Sequence, residues 1–429
     1  MPEKKFKILF LMKFPLFGGG SGNYTRKLAE KLSLLPNVEV AIAAPDNRPV
    51  TGAKIYEIKP AQDVVFESHP EYKGAKRYKD LNDTEFNEVY QSFNDQIIKV
   101  VEDFRPDVIH VNHASFLTWI ASYIKSIYGI PYVVAIHGTD IFQATIDRRF
   151  LTLTGQALSR AEFILSNSNY TNKWLLKVFG KKLQRKTRIL PCGVDLQAFT
   201  RDQEVKIINE KYHLKDKKVV IFVGRLTWEK GVEYLLKAAN RIKGEIFIIG
   251  SGVDKDRLED FAKEKNLKNV HFLGYFGKEY VEELREFYKR ADCVVLPSIC
   301  DEGLGIVILE AMACETPVVA TKKGGIPLAV KDGRTGFLVR AKSSKAIAKA
   351  VNLILKDEKL RNTLGRNARK IVEERFDWLI LRDRVMRYYG KAVESSIKMK
   401  MKGSLPRNIS KQDLEREKTD LKKIIEYAA

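Results

Sequence analysis

The stretch Cys300-Asp301-Glu302-Gly303-Leu304-Gly305-Ile306-Val307-Ile308-Leu309-Glu310-Ala311-Met312-Ala313 decides how the chain is read. It follows the apolar run Asp292-Cys293-Val294-Val295-Leu296-Pro297-Ser298, which reads as a strand with an abrupt end. Ile306, Leu309, Met312 and Ala313 then recur at three- and four-residue spacing, as on one face of a helix. Strand, glycine-containing turn and helix start together form an anion site, because the first backbone N–H groups of a helix have no intrahelical partner. Two carboxylates bracket the turn. Glu302 precedes the helix, and Glu310 lies about 7 Å beyond Gly305 at about 1.5 Å per residue. A phosphate near Gly303–Gly305 leaves both carboxylates within reach of hydroxyl groups on either side of it.

The same strand-then-helix alternation runs through the chain. Residues 6–14 read as a buried strand, followed by the turn Gly18-Gly19-Gly20-Ser21-Gly22 and a helix over 23–35. Strands are expected at 38–44, 106–111, 132–136, 163–165 and 187–190, with helices at 83–104, 115–128, 145–160 and 170–179 between them. Residues 47–82 contain Pro49, Pro60 and Pro70 without a sustained period and read as a loop-rich insertion. After a charged linker with a short helix at 197–217, the alternation restarts. Strands are expected at 219–223, 246–249, 270–273, 293–296, 317–320 and 337–339, and helices at 231–242, 254–265, 279–290 and 343–356. The pattern predicts an α/β chain of two Rossmann-like domains with parallel sheets. The expected divisions are 1–200, 201–376, a helix over 377–396 returning to the first domain, and a basic helical or disordered tail at 397–429.

The 429 residues suit two domains at about 100–200 residues each. Hydrophobic residues at 45% suit large buried cores. The net charge of +21 calls for an anionic partner or substrate, or reflects a thermophile's abundance of Lys and Glu. No zinc spacing, RNP-like string or concentrated arginine run accompanies it, so nucleic acid is the weakest candidate. Cys192, Cys293, Cys300 and Cys314 form neither a CxxC pair nor a disulfide framework, and read as reduced thiols of a cytoplasmic protein. Lys13 and Pro15 interrupt the apolar start, which favours a first strand over a signal peptide. No run of about 18 apolar residues is present, so no membrane span is expected. Lys398, Lys400, Lys402, Arg407 and Lys411 read as a solvated end, or as a contact for an anionic membrane at about 1 kcal/mol per cation.

Two Rossmann-like domains facing each other bind ligands at the carboxyl ends of their strands. The candidate residues fall at such ends: Gly18, Gly19 and Gly20; His137-Gly138-Thr139-Asp140; Gly224-Arg225 leading to Lys230; and Glu302. Fixed cations at Arg225 and Lys230 suit a diphosphate, whose negative charge develops as it leaves. Asp254-Lys255-Asp256 sits at a helix start, where acids suit the dipole, and no metal site is assigned to it. His110, His113 and His271 lack ligand spacing and read as core or polar-network histidines. Ser166 and Ser168 lack the glycine pattern of a nucleophile elbow.

In this order the motifs resemble the retaining glycosyltransferases of family 4, nucleotide-sugar-dependent enzymes of the GT-B fold. The matching residues are the Gly18–Gly20 loop, Pro106-Asp107-Val108-Ile109-His110, His137-Gly138-Thr139-Asp140, Gly193-Val194-Asp195, Gly224-Arg225-Leu226 with Lys230-Gly231, and Glu302 through Glu310. Gly324-Gly325-Ile326-Pro327, Asp332-Gly333 and Gly336-Phe337-Leu338-Val339 continue the likeness, which covers residues 5 to about 390. Two positions depart from it: Leu328 stands where the family often has Glu, and Glu315 where it often has Gly.

The resemblance implies that Arg225 and Lys230 grip the donor diphosphate. It implies that Glu310 binds the ribose hydroxyls and Glu302 the transferred sugar. The amides of Gly303, Leu304 and Gly305 would face sugar and phosphate, with Gly18, Gly19 and Gly20 also on the donor. His137 would line the sugar site, and Asp140 would lie on the acceptor side. The implied catalytic set is thus His137, Arg225, Lys230 and Glu302, with a front-face mechanism that retains anomeric configuration and needs no metal or bound cofactor. The substrates would be a nucleoside diphosphate sugar and a sugar or lipid-linked acceptor, with the enzyme cytoplasmic or peripheral at the inner membrane face. The alternatives are a retaining disaccharide synthase or phosphorylase on the same scaffold, and a non-catalytic basic protein binding membrane or nucleic acid.

Overall fold

The computed structural model describes residues 5–17, 19–65, 75–201, 204–277 and 280–404. The chain divides into two units: unit 1 holds Met1–Leu190 with Trp378–Ala429, and unit 2 holds Pro191–Asp377. The first boundary falls earlier than the expected division after residue 200. Pro191–Thr200 belongs with unit 2 because Val194 is buried in that core and its N–H donates to Phe376 O at 2.9 Å.

Unit 1 is built on β1 (Phe6–Leu11), β2 (Val38–Ala44), β3 (Ala53–Glu57), the short ribbon of β4 (Val64–Val65) and β5 (Lys76–Arg77), then β6 (Val108–Asn112), β7 (Tyr132–Ile136), β8 (Phe163–Ser166) and β9 (Thr187–Ile189). The main sheet is parallel, in the order β3-β2-β1-β6-β7-β8-β9. Every residue of β6 and β7 is buried, which is why these strands read as continuous apolar runs. Edge strand β3 is partly exposed along its whole length, and the expected loop at 47–82 hid it together with the β4–β5 ribbon. Residues 66–74 of that insertion lie outside the described residues. Helix Asp83–Phe104 starts at a reciprocal cap: Glu85 N donates to Asn82 Oδ1 at 2.9 Å and Asn82 N to Glu85 Oε2 at 3.0 Å. Its face of Val89, Phe93, Ile97, Val100, Val101 and Phe104 joins the core.

Other expectations shift with local chemistry. The first helix spans Gly20–Leu32, starting at the glycines and not beyond them. The helix expected at 145–160 is two, Thr139–Ile146 and Leu151–Arg160. Asp147 breaks it by accepting from Arg149 N at 3.1 Å. The returning helix is longer than 377–396, spanning Trp378–Met401. It is fixed to unit 1 by Tyr389 Oη on His110 Nδ1 at 2.6 Å, Arg384 on Ile189 O at 2.7 Å and Ser396 Oγ on Gly129 O at 2.7 Å. The tail from 405, with Arg407 and Lys411, lies outside the described residues.

Unit 2 holds β10 (Val219–Val223), β11 (Glu245–Ile249), β12 (Val270–Gly274), β13 (Cys293–Leu296), β14 (Val318–Thr321) and β15 (Gly336–Val339). They form one parallel sheet, β12-β11-β10-β13-β14-β15. Counted from the first strand of the unit, this is the 3-2-1-4-5-6 Rossmann order, whose direction reverses between β10 and β13. Helix Glu358–Arg375 was not anticipated, because its charged surface masks a thin buried face of Leu364, Gly365, Ala368 and Val372. Asp292, at the start of β13, anchors it through Arg361 Nη1 at 2.7 Å and also accepts from Val219 N at 2.8 Å.

Gly365 and Gly155 make an opposed pair of tests. Alanine within a helix is favoured over glycine by about 1 kcal/mol. A Cβ on Gly155 would meet only Phe179 Cδ1 at 3.5 Å, an ordinary contact. A Cβ on Gly365 would lie 2.1 Å from Glu315 O. We therefore expect Gly155→Ala to stabilise by up to about 1 kcal/mol, and Gly365→Ala to destabilise by about 1–3 kcal/mol, both read by denaturant unfolding.

Candidate functional site

In unit 2 the reversal of strand order lies between β10 and β13, and the sequence-predicted residues gather on the loops leaving these two strands. Gly224 and Arg225 leave β10, and Pro297 and Ser298 leave β13. The loops are sewn together by Ile299 N, which donates to Glu229 O at 2.8 Å. Gly231 allows this approach: it has φ +65, and a Cβ there would lie 2.3 Å from Pro297 O. On the other side Gly324, with φ +52, lies so close that a Cβ would sit 2.1 Å from Glu302 O. Gly325 N donates to that same carbonyl at 2.7 Å, and Gly324 N to Asp301 Oδ1 at 2.8 Å.

At the centre Lys230 Nζ lies 2.5 Å from Glu302 Oε1, with both side chains mostly buried. The same carboxylate oxygen accepts from Ser298 Oγ at 2.7 Å, and Ser298 O in turn accepts from Thr321 Oγ1 at 2.6 Å. Arg225 is exposed and makes no hydrogen bond or ion pair among the described residues. Helix Ile306–Ala313 begins at Gly305 (φ +83) without a side-chain cap, so its first amides remain available to an anion. Leu304 is buried in the unit 2 core, which leaves its backbone as the part able to face a ligand. Glu310, half-buried, sits one turn into this helix. Burial pushes its carboxyl up to about 7, against the Tyr288 hydroxyl and the Arg285 charge. Leu328 packs against the core, and Glu315 adopts φ +55, a conformation glycine takes at lower cost.

In unit 1 the equivalent reversal lies between β1 and β6. Gly19 and Gly20 are exposed, with open space where their Cβ atoms would be, and Gly18 lies outside the described residues. His137 follows β7 and is half-buried; its Nε2 is 3.2 Å from Asn112 Oδ1, and burial lowers its pKa with Asp140 opposing. Asp140 is buried and bound to backbone: Gly138 N at 2.7 Å, Ile141 N at 3.1 Å and Ala114 N at 2.9 Å. It braces the loops after β6 and β7. His110 is held in the core, its pKa pushed down to about 3 by burial. His271 pairs with Glu245 Oε2 at 2.7 Å, but at the beginnings of β12 and β11, the opposite end of the sheet from the site.

Sequence reading passed over Ser298 and Thr321, which orient Glu302, and Lys13, which lies buried beyond β1. Ser298 and Thr321 each end an apolar run, a position that in parallel sheets faces the ligand side. Lys13 was legible only as an interruption of an apolar stretch.

Residues 18–198 match Glycosyltransferase Family 4, and residues 204–371 match Glycosyl transferases group 1. The chain belongs to this glycosyltransferase family. It is 30% identical to the alpha-D-kanosaminyltransferase of Streptomyces kanamyceticus over 59% of this chain and 68% of that one. Among solved structures it resembles sucrose-phosphate synthase of Thermosynechococcus elongatus, with a TM-score of 0.74 at 24% identity over 91% of this chain and all of that one. It also resembles Anabaena HepE in complex with UDP-glucose, with a TM-score of 0.67 at 19% identity over 89% of this chain and 98% of that one. These likenesses give the GT-B fold. The chain is a glycosyltransferase that uses nucleotide-sugar donors.

Glu310 gives the site a pH signature. Its folded-state pKa is raised, so its protonated form is favoured on folding. That stabilisation is complete below the ordinary carboxylate range and is lost as pH rises through about 7. Glu310→Gln is expected to remove this slope and to raise stability at pH 8 by on the order of 1–3 kcal/mol. Thermal unfolding between pH 5 and pH 8 checks it, and parallel curves for the two proteins would exclude a buried ionising Glu310.

Proposed function

We propose that the enzyme transfers a sugar, with retention of anomeric configuration, from a nucleoside diphosphate sugar to a hydroxyl of a sugar or lipid-linked acceptor. The observation that carries this is the Lys230–Glu302 pair at the β10/β13 reversal, flanked by exposed Arg225 and the uncapped start of helix Ile306–Ala313. Two cations and a set of helix amides suit a diphosphate. Two carboxylates, one before the helix and one within it, suit hydroxyls on either side of that diphosphate.

On this reading Arg225, Lys230 and the amides of Gly303, Leu304 and Gly305 take the diphosphate. Glu310 takes the ribose hydroxyls and Glu302 a hydroxyl of the transferred sugar. Asp140 acts on the acceptor side by holding the loop that carries His137. The base has apolar surface available at the ends of β11 and β12, where Val253 is 84% and Tyr275 65% exposed. The Anabaena neighbour's ligand makes UDP the first nucleotide to test. Glu302 is compensated by Lys230 and hydrogen-bonded by Ser298, a poor state for a nucleophile. This favours a front-face path in which the departing phosphate takes the acceptor's proton. No helix of the described residues is long and apolar enough to cross a membrane, and a lipid-linked acceptor would be met by peripheral contact.

A thermal-shift panel of UDP, GDP, ADP and their sugars, followed by calorimetry, tests the reading. We expect one nucleotide to bind and Glu310→Ala to weaken it by about 10–100-fold, the loss of a charged hydrogen bond. Lys230→Ala is expected to lower kcat by about 100–1,000-fold, as for removal of a preorganised charge at a leaving oxyanion. Unchanged nucleotide affinity in Glu310→Ala would overturn the assignment of that residue. No binding by any nucleotide would overturn the donor site.

A further inference from the structure

Unit 1 holds a second polar cluster, at the ends of β1, β6 and β7, that donor binding leaves unused. Lys13 is 2% exposed. Its Nζ donates to Gln143 Oε1 at 2.7 Å and lies 4.6 Å and 4.9 Å from the ring centroids of Tyr78 and Phe14. It has no carboxylate at ion-pair distance among the described residues. The charge acting on it is Asp140, whose oxygens already accept three backbone amides. Burial holds the Lys13 ammonium down to about 7, as expected of a cation short of counter-charge.

His113 stands on the other side of Phe14, ring centroids 5.3 Å apart, and 4.7 Å from the ring of His137. It is 2% exposed, and neither of its ring nitrogens has a partner among the described residues. Its backbone is held at φ +71, a strained conformation for a residue with a Cβ. Asn112 Nδ2 and Gln143 Nε2 are also buried and lack acceptors among the described residues. A neutral imidazole supplies one N–H in either tautomer, so the cluster presents Lys13, Gln143, Asn112 and His113 as donors. Buried donors left open around a cation are arranged for an anion.

We propose that this cluster receives an anionic group, phosphate or carboxylate, carried by the acceptor. The word acceptor rests on the transferase reading above; the anion site itself does not. The probes are inorganic phosphate, glycerate, and vesicles of phosphatidylcholine with phosphatidic acid, used with the full chain at fixed ionic strength. Thermal unfolding reads the soluble probes and sedimentation reads the vesicles.

The proposal expects saturable stabilisation by phosphate or glycerate, or binding to the vesicles. It expects the effect to survive Arg225→Ala with Lys230→Ala, and to weaken at least about tenfold in both Lys13→Met and Gln143→Met, as for loss of a charge-assisted hydrogen bond. Nucleotide affinity of these two variants should stay at the wild-type value, which also shows that they fold. Stabilisation by soluble anions assigns a soluble acceptor, and vesicle binding without it assigns a lipid headgroup. The proposal is overturned if no probe acts on wild type, if the effect disappears with Arg225 and Lys230, or if it is indifferent to Lys13 and Gln143. Failure of wild type to bind any nucleotide tells instead against the transferase reading.

Discussion

The reversal of strand order between β10 and β13 is the constraint on which the site depends. Crossovers leave these neighbouring strands in opposite directions, so their loops part and open a gap above the sheet. Backbone contacts hold that gap in shape: Ile299 N on Glu229 O on one side, Gly325 N on Glu302 O on the other. Such contacts demand residues without side chains, which is why glycine recurs at 231 and 324. A charged pair placed there is costly unless its geometry is good, since both ions have left water. Ser298, itself held by Thr321, supplies the additional hydrogen bond that makes Glu302 tolerable in this position.

Unit 1 repeats the architecture and fills its reversal differently. There the loops after β6 and β7 are braced by one carboxylate, Asp140, which spends both oxygens on backbone amides. What faces the gap is a set of imidazoles kept neutral by burial and one ammonium. Neutral imidazoles offer donors and acceptors without charge, suited to hydroxyls; the lone ammonium adds a preference for negative charge. The two units thus share a frame while presenting different chemistry, paired charges and open helix amides in one and buried neutral donors around an ammonium in the other.

Much of this was legible in the sequence because parallel strands buried on both faces leave continuous apolar runs, and because close backbone approach leaves glycines. The central strands and the Glu302–Glu310 turn were readable on those grounds. Edge strand β3 was not, since five residues that all keep some exposure resemble a loop. Helix Glu358–Arg375 was not, since its buried stripe is narrow among charges. Nor was the partner of Lys230: sequence reading placed it on a phosphate, and its ion pair with Glu302, 72 residues away, depends on a register no string displays. Lys13 was concealed for a similar reason, as only the fold reveals that it points inward and has no counter-ion at pairing distance among the described residues.

The Lys230–Glu302 pair also bears on how a donor site tells a nucleotide-sugar from a bare nucleotide. Without ligand, each ion compensates the other. On the proposed reading a diphosphate, which carries more charge than a carboxylate, would draw Lys230 toward itself. Glu302 then keeps only Ser298, and a partly buried carboxylate short of donors is unfavourable. A sugar whose hydroxyls reach Glu302 restores what the lysine withdrew, whereas a nucleotide alone leaves the deficit. Sugar recognition by Glu302 would in this way be driven less by attraction than by the penalty of leaving it unpaired, the asymmetry that lets buried polar groups reject analogues lacking a hydroxyl. A lysine that grips the phosphate, as proposed for Lys230, would therefore also set how strictly the neighbouring carboxylate demands the right sugar.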